Sequence, residues 1–282
     1  MTKFDDAYAR AQAMRVWAGT DTRTNPPFVT KRGVGIWQAG NDGDVMAYAG
    51  MLALSGEEIG LSTAKRSQGP DGKIWRSPMR VDVPAADSNS RDQMIGFMAY
   101  LVASKDVEAA KMFQKYLENN KWKLGNDATD NRETLTPAAY GLMGYVWKYL
   151  GLPVNWKMRL CMGPIYYTGQ YLSAVFSPVS YQTELVGDCT LIIQKMNMDN
   201  MLNKHIARVL VRRDEQNAFY QYLVGNYDVA IELALEQMPD KCPESAYIWS
   251  FEPETSSNQY VYSMGWDYIF LMNLIRDKVQ PS

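Results

Sequence analysis

The sequence predicts an all-α fold in which helical hairpins repeat around a ring. Apolar residues recur at helical spacing in segment after segment. No run alternates cleanly with a period of two between hairpin turns, so strand signals are poor. One pattern also returns at a fixed step. Asp44, Asp92 and Asp188 each stand ahead of an apolar run rich in small residues. Asp44 and Asp92 are 48 residues apart, and Asp188 lies two such steps further on. The skipped step falls at Tyr140, where Leu142, Met143 and Gly144 match Met94, Ile95 and Gly96. A period in this range marks one supersecondary unit used repeatedly, here a helix pair, and six such units need about 288 residues. The chain has 282.

The first helix is expected over residues 4–17 and the second over 42–55, ended by Gly56. Residues 90–104 form the clearest case. Ser90 is a good N-cap, and Asp92 in the first turn suits the helix dipole. Residues 107–119 return as its partner and end at Asn119 and Asn120. Thr136 and Pro137 open the next helix as cap and first helical residue, and it stops before Gly151 and Pro153. Helices over 181–198, 201–213, 217–224, 228–237 and 259–278 complete the set. Two long loops, 19–41 and 57–89, could hold short strands, and the second contains a turn at Gly69–Gly72. Loops of that length are uncommon in compact domains unless they are functional. No Pro/Gly/Ser-rich linker divides the chain, so residues 1–282 read as one domain, although the repeat loses phase after residue 200.

Composition allows a sizeable core, with 46% hydrophobic and 21% charged residues. A net charge of −2 gives no global attraction to nucleic acid or to an anionic membrane. Cys161, Cys189 and Cys242 are odd in number and form no C-x-x-C or zinc pattern, which reads as free thiols in a reducing compartment. The start of the chain carries Asp5, Asp6, Arg10 and Arg15, so no signal peptide is visible. The most apolar stretch, 158–176, is interrupted by Arg159, Gly163, Pro164 and Gln170 and does not read as a membrane span. These features describe a soluble protein, cytoplasmic or released from the cell without a secretion signal.

Three acidic constellations could carry chemistry. Asp42 and Asp44 stand at a helix start, where two carboxylates can serve as acid and base or hold a cation; ordinary capping is the favoured explanation, because acids are common there on physical grounds. Ser90, Arg91, Asp92 and Gln93 form the second. Capping accounts for Ser90 and Asp92, but not for Arg91 with Gln93, and an Arg can clamp a carboxylate with two bonds. The third is Trp266 with Asp267, inside an aromatic-rich apolar run. Burying that Asp is costly unless it is paired, and desolvation would raise its pKa as a general acid requires. A structural Asp bonded to a neighbouring helix is the plain alternative. Asp127, Asp130, Arg132 and Glu133 read as a solvated loop. Trp37, Trp75, Tyr166, Tyr167, Tyr171 and Trp249 could stack on sugar faces or simply pack. His205 is the sole histidine, which removes any multi-His metal site and makes a Ser-His or Cys-His pair improbable. It shares its helix with Lys204, Arg208, Arg212 and Arg213, a basic stripe suited to a polyanion or to plain solvation.

The hairpin periodicity, residues 90–93 opening an apolar helix, and Gly265, Trp266 and Asp267 opening the last one make the chain resemble the (α/α) toroid, or six-hairpin, glycosidase-like proteins. The resemblance implies a ring, complete or short of closure, whose inner helix ends line a cleft. It implies acidic residues there that hydrolyse or eliminate glycosidic bonds. Asp92 and Asp267 carry over as the catalytic pair, with Asp44 in support. Trp75, Trp249 and Trp266 become sugar platforms; Arg91, Gln93 and Asp42 become substrate contacts. An oligo- or polysaccharide is the implied partner, with no cofactor or metal. Proteins of this general form also occur in bacteriophages. The expectation is therefore a glycan-active hydrolase, with a lyase less favoured. The alternative is a non-catalytic binding or structural protein, such as a virion component, on the same ring.

Overall fold

The computed structural model describes residues 2–16, 18, 20–22, 24–30, 32–33, 45–83, 90–124, 135–177, 180–238, 240, 261–262 and 265–280. Among them the chain is all-α. The helices are α1 (Lys3–Ala13), α2 (Val45–Leu54), α3 (Glu58–Arg66), α4 (Arg91–Ser104), α5 (Val107–Asn119), α6 (Pro137–Tyr149), α7 (Trp156–Cys161) and α8 (Pro164–Phe176). They continue with α9 (Ser180–Lys195), α10 (Met201–Arg213), α11 (Ala218–Val224), α12 (Tyr227–Gln237) and α13 (Trp266–Val279). The strands are two residues each. β1 (Thr20–Asp21) pairs antiparallel with β2 (Phe28–Val29), and β3 (Arg32–Gly33) with β4 (Val261–Tyr262).

Two kinds of helix alternate along the chain. In α2 every residue except Ala47 is buried; in α4 the buried run is Asp92–Val102, in α11 Ala218–Leu223 and in α13 Trp266–Ile275. A helix apolar on all sides belongs inside a protein. α6 and α9 are largely buried too, through Leu142, Met143, Val146 and Trp147 in one and Val186, Leu191, Ile192 and Ile193 in the other. Helices such as α5 are amphipathic: α5 buries Ala109, Ala110, Phe113, Tyr116 and Leu117 and exposes Lys111 and Lys115. Each fully buried Leu or Phe in this core contributes roughly 1.5–3 kcal/mol. The buried helices meet one another: α2 lies on α4, α4 on α6 and α9, α9 on α11, and α13 on α2. The last buried helix thus touches the first, and one hydrophobic cluster runs from Phe4 to Ile275.

The α2–α4 contact is a backbone-to-backbone approach. A Cβ built on Gly50 would lie 1.8 Å from the Gly96 carbonyl oxygen, and one on Gly96 would lie 2.4 Å from Ala47 Cα. Only glycine at both positions permits it. A second fastening joins the two ends of the chain. Arg15 holds Glu57 with two bonds of 2.9 and 2.5 Å, and Asn273 in α13 donates to the same carboxylate at 2.6 Å. Glu57 is 8% exposed, so its charge is stabilised by three donors rather than by water.

Several sequence expectations are corrected here. Residues 57–89 are not loop throughout: α3 occupies Glu58–Arg66. Its buried face is Gly60, Thr63 and Ala64. Small and polar residues give no apolar periodicity, which hid the helix. The stretch 158–176 holds the C-terminal part of α7 and all of α8, separated by Gly163 at φ 71° with Pro164 at the first helical position. Asp188 does not open a helix; it lies two turns inside α9. The final helix begins at Trp266, not at 259, because Gly265 adopts φ 91° and Val261–Tyr262 pairs as a strand. Thr136 and Pro137 do open α6, and the Thr136 hydroxyl accepts from the Ala139 amide. Ser90 is the N-cap of α4 but makes no capping bond; its hydroxyl donates to Asp92 instead.

Candidate functional site

A cleft of about 570 Å³ opens between the first turns of α4 and α6 and the bodies of α8 and α9. Ser90, Arg91 and Asp92 bring α4 to it, Thr136 brings α6, Gln170 brings α8, and Cys189 brings α9. Its remaining surface is largely aliphatic, with Met94, Ile95, Leu142, Leu172 and Val186 among the lining. Two helix N-termini at one cleft place partial positive charge there, which suits an anionic group or a carboxylate. Among the described lining residues, Asp92 is the one carboxylate and no aromatic ring is present.

Asp92 is held firmly. Its Oδ1 accepts from the Ser90 hydroxyl and its Oδ2 from Gln93 Nε2 at 3.2 Å. Gln93 is fully buried, and its Oε1 accepts from the Ala47 amide at 3.2 Å. The neighbouring Met46 amide donates to the Arg76 carbonyl at 2.8 Å. Two of the amides that the start of α2 leaves unpaired therefore find partners in other parts of the chain. Cap chemistry alone leaves Gln93 unexplained; this inter-helix bond accounts for it. Arg91 is exposed and stands on the cleft wall.

The other sequence-derived candidates lie elsewhere. Asp267 is fully buried, does not line the cleft, and accepts from the Tyr268 amide at its own helix start. Trp266 is 4% exposed and Trp75 is 7% exposed, so neither presents an open face to a sugar. Lys73 covers the Trp75 ring at 4.1 Å. Asp42, Asp44, Trp249, Trp37, Asp127, Asp130, Arg132 and Glu133 lie outside the described residues. The structure thus brings Asp92 and Arg91 together at one cleft, with Gln93 behind them, and sets Asp267, Trp266 and Trp75 apart from it.

Sequence reasoning missed Thr136, Gln170 and Cys189 as cleft residues. Gln170 was visible only as an interruption of an apolar stretch; the signal was its spacing from Tyr166 and Ala174, both four residues away and both buried with it on one face of α8. Cys189 is 3% exposed. Burial, with the Asp188 charge beside it, pushes its thiol up to about 12. A thiol so far from ionisation is a packing residue and not a nucleophile. Cys161, partly exposed, is also shifted upward by burial.

Among the described residues no three His, Cys, Asp or Glu side chains gather to hold a metal ion, and no helix is long and apolar enough to cross a membrane. Comparison with known proteins yields no match: no family model fits the chain, and no curated protein or solved structure is similar to it.

Proposed function

We propose that the protein is a glycan-active hydrolase built on a ring of helical hairpins, with substrate seated in the cleft that holds Asp92. The alternation of buried and amphipathic helices, with the last buried helix against the first, supports the ring. The observation that carries the site is Asp92 itself, a carboxylate on an open cleft at the start of a buried helix. It accepts hydrogen bonds at both oxygens, as a carboxylate that activates water does. Arg91 beside it orients a polar substituent of the substrate. Hydrolysis also requires an acid to protonate the leaving oxygen. Asp44 takes that part in this reading. It precedes α2 in sequence, and α2 is the helix whose first turn Gln93 bonds. Asp267, enclosed and outside the cleft lining, is assigned to holding the start of α13.

A non-catalytic glycan-binding role is the second reading. The single carboxylate among the described cleft residues favours it. A glycan array separates the two. Under the hydrolase reading, Asp92→Asn retains bound glycans that the wild type releases in shortened form. Under the binding reading, the wild type retains them intact and Arg91→Ala loses them. Absence of any retained or shortened glycan contradicts both.

A further inference from the structure

A second concavity, of about 610 Å³, lies where α9, α11 and α13 end and α10 runs past them. It shares no lining residue with the Asp92 cleft. Lys204 and Arg208 of α10 and Lys278 of α13 line it, against one carboxylate, Asp199. Neither Arg208 nor Lys278 is in an ion pair among the described residues. Lys204 reaches Asp199 only at 3.8 Å. The rings of Tyr222 and Tyr227 pack at 5.6 Å and form the wall.

A solvated surface explains part of this and not all of it. Lys278 stands in the last turn of α13, where a cation offsets the partial negative charge of the helix end. Arg208 sits in the middle of α10, where no helix end calls for it. Long cations directed at one concavity, with low-dielectric aromatic walls, concentrate positive potential there. Arginine also matches the oxygen spacing of tetrahedral anions with two parallel bonds.

We propose that this pocket binds a tetrahedral oxyanion, phosphate or sulfate, either free or as an ester on a larger ligand. Arg208 supplies the fork, and Lys278 and Lys204 supply point charges. The stripe of Lys204 and Arg208 on one face of α10 then serves this pocket rather than a polyanion lying along the helix.

Isothermal titration calorimetry tests this on the full chain, with sodium phosphate, sodium sulfate and glucose 6-phosphate as probes at constant ionic strength and sodium chloride as the reference. The wild type should show saturable heat with phosphate and sulfate beyond chloride. Arg208→Ala should weaken binding about tenfold or more, the scale of a lost charge-assisted bond. Arg208→Lys should fall between the two. Arg159→Ala removes an equal charge outside the pocket and should leave binding unchanged, as should Asp92→Asn, which separates this site from the cleft. Tighter binding of glucose 6-phosphate than of free phosphate would identify an ester as the natural ligand; equal binding would identify the free ion. Heat no greater than that with chloride overturns the proposal. So does an equal loss in Arg208→Ala and Arg159→Ala, which would be a general charge effect.

Discussion

Gln93 and Ala47 are joined by a 3.2 Å bond from the Ala47 amide to the Gln93 side-chain oxygen, while the Gln93 nitrogen holds Asp92. One buried amide side chain thus ties the cleft carboxylate to the start of the neighbouring helix. Gln93→Ala leaves the partly buried Ala47 amide without its acceptor, which costs about 1 kcal/mol, the low end for an unsatisfied donor. Gln93→Glu keeps an acceptor for Ala47 but removes the donor to Asp92 and sets two carboxylates side by side. Urea denaturation at pH 7 should find both variants destabilised. Lowering the pH should restore part of the loss in Gln93→Glu alone, because protonation relieves the repulsion.

The glycine contact between α2 and α4 predicts a sharp contrast. In Gly96→Ala the new methyl would meet the backbone of Ala47 at 2.4 Å, and backbone cannot step aside as a side chain can. The expected loss is at least about 3 kcal/mol, the upper end of ordinary overpacking. In Gly187→Ala the nearest neighbours of the methyl are side-chain atoms, the ring edges of Phe219 and Tyr220 at 3.2 Å and Leu223 Cδ1 at 3.7 Å. Helix propensity returns roughly 1 kcal/mol there, so thermal denaturation should place that variant close to the wild type.

The Glu57 fastening predicts coupled losses. Glu57→Ala leaves Arg15 and Asn273 without their shared acceptor, and Arg15, being partly exposed, can turn back to water. The expected cost is about 1–3 kcal/mol. A double-mutant cycle with Arg15→Ala should give a smaller combined loss than the sum of the two single losses, as bonded neighbours do. Strict additivity would show that the pair contributes nothing.

Cys189 sets a pH dependence. Its thiol, raised by burial from near 9 to about 12, holds its proton more tightly in the folded state than in the unfolded chain. That contribution is fully present below pH 9 and is lost as pH rises towards 12. Stability measured across that window should fall less steeply in Cys189→Ala than in the wild type. Below pH 9 a thiol reagent should modify Cys161 in the native protein well before Cys189.

How much was legible in the sequence follows from what each helix buries. α4 and α6 were legible because Leu, Met and Phe face the core and because Thr136 and Pro137 punctuate one of them. α3 was not, since its buried face is only Gly60, Thr63 and Ala64, with Gly60 set against Ala49, Leu52 and Ala53 of α2. The 48-residue step reached Asp92 in the first turn of α4 but failed at Asp188, which lies two turns inside α9. Asp92 and Arg91 were found from a motif that capping left unexplained. Asp267 was singled out because a buried Asp is costly, and the same burial removes it from the cleft. Gln170 and Thr136 join the cleft through tertiary packing, which no local pattern encodes.

The most direct test of the account is reducing-end release from a panel of polysaccharides by the wild type, Asp92→Asn and Asp44→Asn, each checked for an unchanged melting temperature. The account predicts that the wild type cleaves at least one glycan class. Each variant should lose activity by about 10²-fold or more, the scale of a missing acid or base group, and Asp267→Asn should instead lower the melting temperature. Cleavage by Asp92→Asn at the wild-type rate, or no cleavage by the wild type on any glycan, would contradict it.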